Sequence, residues 1–106
     1  MSAGRRWTVE DRTGNLVYLT EERWDHIVDG HPEMENHERQ LRETIRLGER
    51  SQDSLNPQKF RYRRGFRGLS DDNTHVEAVV LFRYVEEEGA EIANNYVVTA
   101  YLKEIR

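Results

Sequence analysis

The chain contains no cysteine and only two prolines among its 106 residues. The missing cysteines exclude disulfides, thiolate metal sites and a cysteine nucleophile. No apolar run approaches the ~18 residues of a membrane span, and the mean hydropathy is −0.94, so we expect no contact with a membrane. The first residues, MSAGRRWTVED, lack the apolar segment of a signal peptide. We therefore expect one cytoplasmic domain over residues 1–106.

Charge is distributed unevenly along the chain. The net charge is −4, yet the stretch KFRYRRGFR at residues 59–67 carries five cations and no anion, and the chain without it would stand at −9. The overall acidity argues against a general nucleic-acid-binding protein. A basic segment on an acidic body can still dock a phosphate chain, or it can be a solvated hairpin.

The first half of the chain predicts two short strands and two helices. RRWTVEDRTGNLVYL has the pattern of two strands around a TGN turn. Thr20 can cap a first helix, which Gly30 and Pro32 limit because the residue before a proline disfavours the α region. Pro32 also suits the first turn of a second helix, predicted at 32–47, and Gly48 is a natural stop.

The second half changes to the two-residue period of strands. QKFRYRRGF, HVEAVVLFRYV and EIANNYVVTAYLKEI predict three antiparallel strands with turns near DDNT and EEEGAE. Strict alternation in the last strand puts Val97, Thr99 and Tyr101 on one face and Tyr96 and Ala100 on the other. This order predicts an α+β domain with the helices packed on one face of an antiparallel sheet.

These elements carry the groups that metal-free RNA cleavage requires. A base takes the proton of the 2′-hydroxyl, an acid protonates the leaving 5′ oxygen, and cations hold the phosphoryl charge. Histidine as a residue type titrates near neutral pH, and the arginine fork matches a phosphate. The candidates are His26 and His31 in RWDHIVDGHPEM, Arg61, Arg63 and Arg64 in the basic strand, Arg83 in the next strand, and Thr99 and Tyr101 in the last.

Each candidate also has a purely structural explanation. His31 continues the apolar stripe of the first helix, where packing or capping would explain it, and His26 lies off that stripe, where solvation would. Tyr101 can be an ordinary strand aromatic, and Arg61 and Arg63 can pair with acidic groups. Because His26 and His31 are five residues apart, they lack the i, i+4 spacing of a helical metal pair, and no metal or other cofactor is expected.

Three stretches together resemble a known family. VYLTEERWDHIVDGHPEM, the mid-chain FRYRR and the terminal VVTAYLKEI are similar, in this order, to small bacterial and phage proteins of the barnase–EndoU–colicin–RelE ribonuclease superfamily, over about residues 16–106. The resemblance implies two N-terminal helices packed on a four-stranded antiparallel sheet, and metal-independent RNA cleavage, often by a toxin. The family's turn after the second helix is replaced here by LGERSQDSLNP, which leaves the three arginines of the basic strand as open alternatives.

Our first hypothesis is therefore a metal-independent endoribonuclease acting on RNA, with an antitoxin or immunity protein as a possible partner. The expected catalytic residues are His31, His26, Arg63, Thr99 and Tyr101, and the expected substrate-binding residues are Arg61, Arg64, Arg83 and Trp24. The alternative is a catalytically inactive module of the same fold that binds nucleic acid or protein. A third hypothesis is a helper protein whose acidic face binds a basic partner.

Overall fold

The computed structural model describes residues 4–106, which form two α-helices, one 3₁₀ helix and eight strands. The elements are β1 (Arg5–Glu10), β2 (Leu16–Thr20), α1 (Glu21–Gly30), the 3₁₀ helix (Pro32–Asn36), α2 (Glu38–Leu47), β3 (Glu49–Gln52), β4 (Lys59–Gly65), β5 (His75–Leu81), β6 (Tyr84–Glu87), β7 (Ala90–Ala93) and β8 (Asn95–Lys103). Six strands form one sheet in the order β1-β2-β8-β5-β4-β3, and β6 pairs with β7 in a separate sheet. Within the described residues, no helix has the length and apolar character needed to cross a membrane.

The α+β class holds, but the prediction of two N-terminal helices on a four-stranded antiparallel sheet is wrong. The main sheet has six strands, and two of the strands precede the helices along the chain. The helices lie in the middle of the chain, and the sheet is mixed because β2 runs parallel to β8. A two-stranded hairpin alone is marginal in water, and β2 must bury Val17 and Leu19, which are fully inaccessible. Pairing of β2 with β8 brings these two side chains into the core cluster beside the helices, and the Asn95 side chain donates to the Leu16 carbonyl at 3.0 Å.

Several local predictions are confirmed. Gly14 has a φ of 86° in the turn between β1 and β2, and the Thr20 hydroxyl accepts from the Arg23 backbone N–H at the start of α1. Gly48 caps the end of α2. The predicted second helix is interrupted, because the backbone at His37 leaves the helical region between the 3₁₀ helix and α2.

The main sheet has one face in the core and one open face. The core face carries Tyr62, Val76, Ala78 and Ala100, which pack with apolar residues of the helices. We call the opposite side the open face; the cross-strand pairing places Arg61, Arg63, Glu77, Thr99 and Tyr101 on it. This face is where the candidate site lies.

A β-bulge in β8 decides which residues reach the open face. The pairing of β8 with β5 shifts register between Val97 and Thr99, so that one residue of β8 is extra. Val97 therefore packs in the core at 1 % exposure, whereas Tyr96 shares the open face with Thr99 and Tyr101. The predicted alternation, which put Val97 with Tyr101 and Tyr96 opposite, is wrong for this reason.

The stretch HVEAVVLFRYV, predicted as one strand, is divided between two. β5 ends at Leu81, and Tyr84 begins the hairpin of β6 and β7, all of whose strand residues are exposed. Glu88 and Gly89 form its tip with positive φ values of 52° and 81°, as a tight hairpin turn requires. The acidic EEEGAE stretch is therefore the end of a projecting hairpin.

A buried carboxylate fastens the turn of the first hairpin to β4. Asp11 accepts the Tyr62 hydroxyl at 2.6 Å and the backbone N–H groups of Thr13 and Asn15, both at 2.9 Å. Burial raises the pKa of Asp11, but the hydrogen bonds from Tyr62 and Asn15 outweigh it and hold the pKa below its ordinary value. The turn is thus fixed to the core by an ionised side chain.

Candidate active site

Three strands place a polar row across the open face. Glu77 of β5 lies opposite Arg63 of β4 on one side and Tyr101 of β8 on the other. The Arg63 Nε donates to Glu77 Oε2 at 2.8 Å, and the Tyr101 hydroxyl donates to Glu77 Oε1 at 2.6 Å. Lys103 Nζ stands 3.9 Å from the same Oε2. One carboxylate therefore orients three side chains.

Glu77 is an unusual residue for a strand interior, because it is only 2 % exposed. Burial raises its pKa, but the hydrogen bonds from Tyr101 and Arg63 outweigh burial, and the pKa lies below its ordinary value. Burial also raises the pKa of Tyr101, followed by its hydrogen bond to Glu77. At neutral pH the row therefore holds an ionised carboxylate and a protonated phenol that donates a hydrogen bond.

Arg61 lies on the same face of β4, two residues before Arg63. It is held by Asp53, whose Oδ2 accepts from Arg61 Nη1 at 2.8 Å. That hydrogen bond, with two more from the Leu55 and Asn56 backbone, lowers the pKa of Asp53 to about 2. Arg61 lies across from Val79, which pairs with Thr99 of β8, so it shares a face with Tyr101.

His31 reaches the row from the helical layer. It ends α1 and precedes Pro32, so its ring is held at the junction of two helices. The ring centroid lies 5.7 Å from that of Tyr101, and Nδ1 is 3.7 Å from a carboxylate oxygen of Glu33. The side chain remains 40 % exposed. His31 is thus a solvent-accessible imidazole beside the Tyr101 ring.

The structure gathers part of the predicted set in one place. Arg63 and Tyr101 meet at the buried Glu77 carboxylate; the His31 ring lies beside Tyr101, and Arg61 is on the same face of the sheet. Thr99 lies on the same face, opposite Val79 in the β5–β8 pair.

The other predicted residues lie elsewhere. His26 lines an acidic groove on α1 with Asp25 and Asp29. Trp24 is 6 % exposed and belongs to the core, so its ring has no room for a substrate. Arg64 is on the core side of β4, where it pairs with Glu43 of α2 at 3.4 Å and covers Phe66. Arg83 lies at the base of the β6–β7 hairpin, where its carbonyl accepts from the Asn94 N–H.

Two site residues were not among the predictions. Glu77 is the single charged residue in the strand HVEAVVL, and a lone carboxylate in an apolar strand is the pattern that should have marked it, since a buried charge needs partners. Lys103 follows Tyr101 with period two, which places it on the same face. Glu77 and Lys103 can both be identified from these sequence patterns, without the family resemblance.

The described residues, 4–106, contain no group of three or more histidine, aspartate or glutamate side chains arranged to hold a metal ion. Comparison with known proteins adds no further identification: no protein-family model, no curated protein and no solved structure matches the chain. The function of the open face is therefore inferred from the chemistry of its own residues.

Proposed function

We propose that this protein is a metal-independent endoribonuclease, acting in the cytosol, whose active site is the open face around Glu77. The observation that carries the proposal is the row formed by Arg63, Glu77 and Tyr101, with the His31 ring beside Tyr101 and Arg61 on the same face of β4. A proton carrier, a hydroxyl donor and two guanidinium groups are the parts that phosphoryl transfer to a 2′-hydroxyl needs.

The proposed proton transfers use His31. His31 is accessible to solvent and adjacent to Tyr101, so it can take the proton of the 2′-hydroxyl as that oxygen attacks phosphorus and return it to the 5′ oxygen as its bond to phosphorus breaks. Glu77 is ionised and accepts hydrogen bonds from Arg63 and Tyr101, so its part is to hold these donors in place. His26 has no part in this arrangement because it lies on the acidic groove of α1.

The proposed phosphate contacts use groups that are already oriented. Arg63 meets Glu77 through Nε, which leaves its two terminal amino groups for another acceptor. Arg63 borders a groove of about 320 Å³ that also reaches His75. Tyr101 stands on the other side of Glu77, and Arg61 lies on β4 two residues before Arg63. Held in place by carboxylates, these donors need little reorganisation when charge develops on the phosphoryl oxygens.

The test is cleavage of a mixed-sequence RNA in excess EDTA by wild type, His31→Ala and His26→Ala. We expect wild type and His26→Ala to leave 2′,3′-cyclic phosphate ends, and His31→Ala to lose at least ~100-fold in rate, the lower range for removal of an acid–base group. His26→Ala is the matched control, since it removes an imidazole of α1 away from the row. Full activity of a folded His31→Ala would overturn the assignment of His31.

One observation favours a second candidate, a catalytically inactive module that binds nucleic acid or protein. The charges of Arg61 and Arg63 are already balanced by Asp53 and Glu77. Absence of cleavage by folded wild type, with RNA retained on the protein, would move the proposal to this candidate. An antitoxin or immunity protein would block either function by covering the open face.

A further inference from the structure

A second polar and aromatic pocket opens on the same face, away from Glu77. It has a volume of about 220 Å³ and is lined by Tyr18 and Tyr96 from the two parallel strands and by Thr20 and Arg23 from the start of α1. The two tyrosine rings lie with centroids 6.0 Å apart and planes tilted by 38°. The volume is below the ~300–1,000 Å³ of pockets for drug-sized ligands, which suits a single planar ring system.

The aromatic wall of this pocket is fixed in place. The Tyr18 hydroxyl donates to the Asn94 side-chain oxygen at 3.0 Å, and the Arg5 guanidinium lies 3.8 Å above the Tyr18 ring. Neither Arg5 nor Arg23 forms an ion pair with any carboxylate among residues 4–106, in contrast to Arg61 and Arg63. The pocket thus combines two oriented aromatic rings with Arg23, and Arg5 stacks on one of those rings; neither cation has a carboxylate partner within residues 4–106.

The β-bulge aligns this pocket with the proposed active site. Without the extra residue, Tyr96 and Tyr101 would face opposite sides of the sheet. With it, both lie on the open face of one strand, about 16 Å apart at ~3.3 Å per residue. That span falls within the reach of a single-stranded binding site, for which ~4–16 nucleotides are typical.

We propose that the Tyr18–Tyr96 pocket binds a nucleobase of a single-stranded RNA whose backbone continues along β8 to the row at Glu77. The inference rests on the proposed function and defines its substrate as single-stranded rather than duplex. Bases stack on aromatic side chains, and guanidinium groups add both stacking and phosphate contacts. Arg23 lines the pocket beside the two rings and is placed to supply a phosphate contact, and Arg5 stacks on the Tyr18 ring.

The test measures binding separately from cleavage. Binding of a fluorescent 2′-O-methyl oligonucleotide of mixed sequence, which lacks the attacking hydroxyl, is compared for wild type, Tyr96→Ala, Tyr96→Phe and Tyr84→Ala. Removing one stacking ring should weaken binding about 5- to 150-fold, while Tyr96→Phe keeps the ring and the affinity. Tyr84→Ala is the matched control, because Tyr84 is a 70 % exposed tyrosine on the β6–β7 hairpin.

The outcomes separate the two proposals. Loss of binding in Tyr96→Ala alone supports the pocket, and it does so even if wild type cleaves no RNA, a result that would overturn the proposed function instead. Equal binding by wild type and Tyr96→Ala overturns the pocket, as does equal binding of a duplex of the same sequence. Absence of any binding by wild type also overturns it. Tyr96→Phe keeps the aromatic ring at the same position, so it must bind RNA as wild type does for the inference to stand.

Discussion

Glu77 gives the most direct test of the electrostatics of the open face. The substitution Glu77→Gln keeps the shape of the side chain but removes its charge. An amide has one acceptor oxygen, so it can serve either Tyr101 or the pair of Arg63 and Lys103. Its NH₂ group then points at the remaining donors. At least one charge-assisted hydrogen bond is lost in a site that is only 2 % exposed.

The expected cost follows from that loss. A hydrogen bond to a charged group contributes about 1.5–3 kcal/mol to the free energy of unfolding. For a domain of this length the entropy of unfolding is about 0.22 kcal/mol/K, so the melting temperature should fall by about 7–13 °C at pH 7. The pKa of Glu77 is lowered on folding, so its ionised form stabilises the native state. That contribution is complete above the ordinary value of 4.5 and is lost as the pH falls through the native pKa.

The assay is urea denaturation of wild type and Glu77→Gln between pH 7 and pH 3, with Glu86→Gln as the control. Glu86 is an exposed carboxylate of the β6–β7 hairpin, where a substitution should change stability by less than about 0.5 kcal/mol. The difference between wild type and Glu77→Gln should be largest at pH 7 and shrink below pH 4.5. A difference that is absent, or that stays constant to pH 3, would refute the reasoning.

Two further predictions concern the core face. Tyr62→Phe removes the hydroxyl that Asp11 accepts and should lower the free energy of unfolding by about 1.5–3 kcal/mol in denaturant titrations, with an unchanged m-value; equal stability would show that water replaces it. Gly48→Ala would place a Cβ 2.7 Å from the Arg63 carbonyl oxygen, so the backbone must move at a cost of about 1–3 kcal/mol. Gly30→Ala is the control: nothing lies within 4 Å of its added carbon, so its melting temperature should be unchanged or higher. Equal melting temperatures for Gly48→Ala and Gly30→Ala would contradict the close approach at Gly48.

Local chemistry in the sequence predicted local structure well. The TGN turn, the Thr20 cap and the Gly48 stop each depend on a few neighbouring residues, and all three are confirmed. The parallel pairing of β2 with β8 depends on residues far apart in the chain, and no period within either strand indicates it. The two-strand division of HVEAVVLFRYV was missed because its apolar composition suits one strand or two.

The candidate site was predictable in its parts and not in its arrangement. Arg61, Arg63, Thr99 and Tyr101 reached the open face because period two holds over short runs. Tyr96 did not follow from the same rule, since the bulge adds a residue that no local pattern marks. The histidines were treated as a pair because they are close in sequence, but only His31 ends its helix beside the sheet.

The position of β8 has a consequence for the order in which the molecule is assembled. β8 is the last strand along the described chain, yet it lies between β2 and β5, and its pairing is what makes the first hairpin part of the main sheet. During synthesis the β4–β5 pair can form early, and the first hairpin can already contact the helices and Tyr62, but β2 has no strand partner other than β1 until residues 95–103 have left the ribosome. Since contacts between distant residues are slow to close, pairing of β2 with β8 is expected to be a late event in folding. The Tyr18–Tyr96 pocket, which spans the same junction, then becomes complete only when the chain has closed.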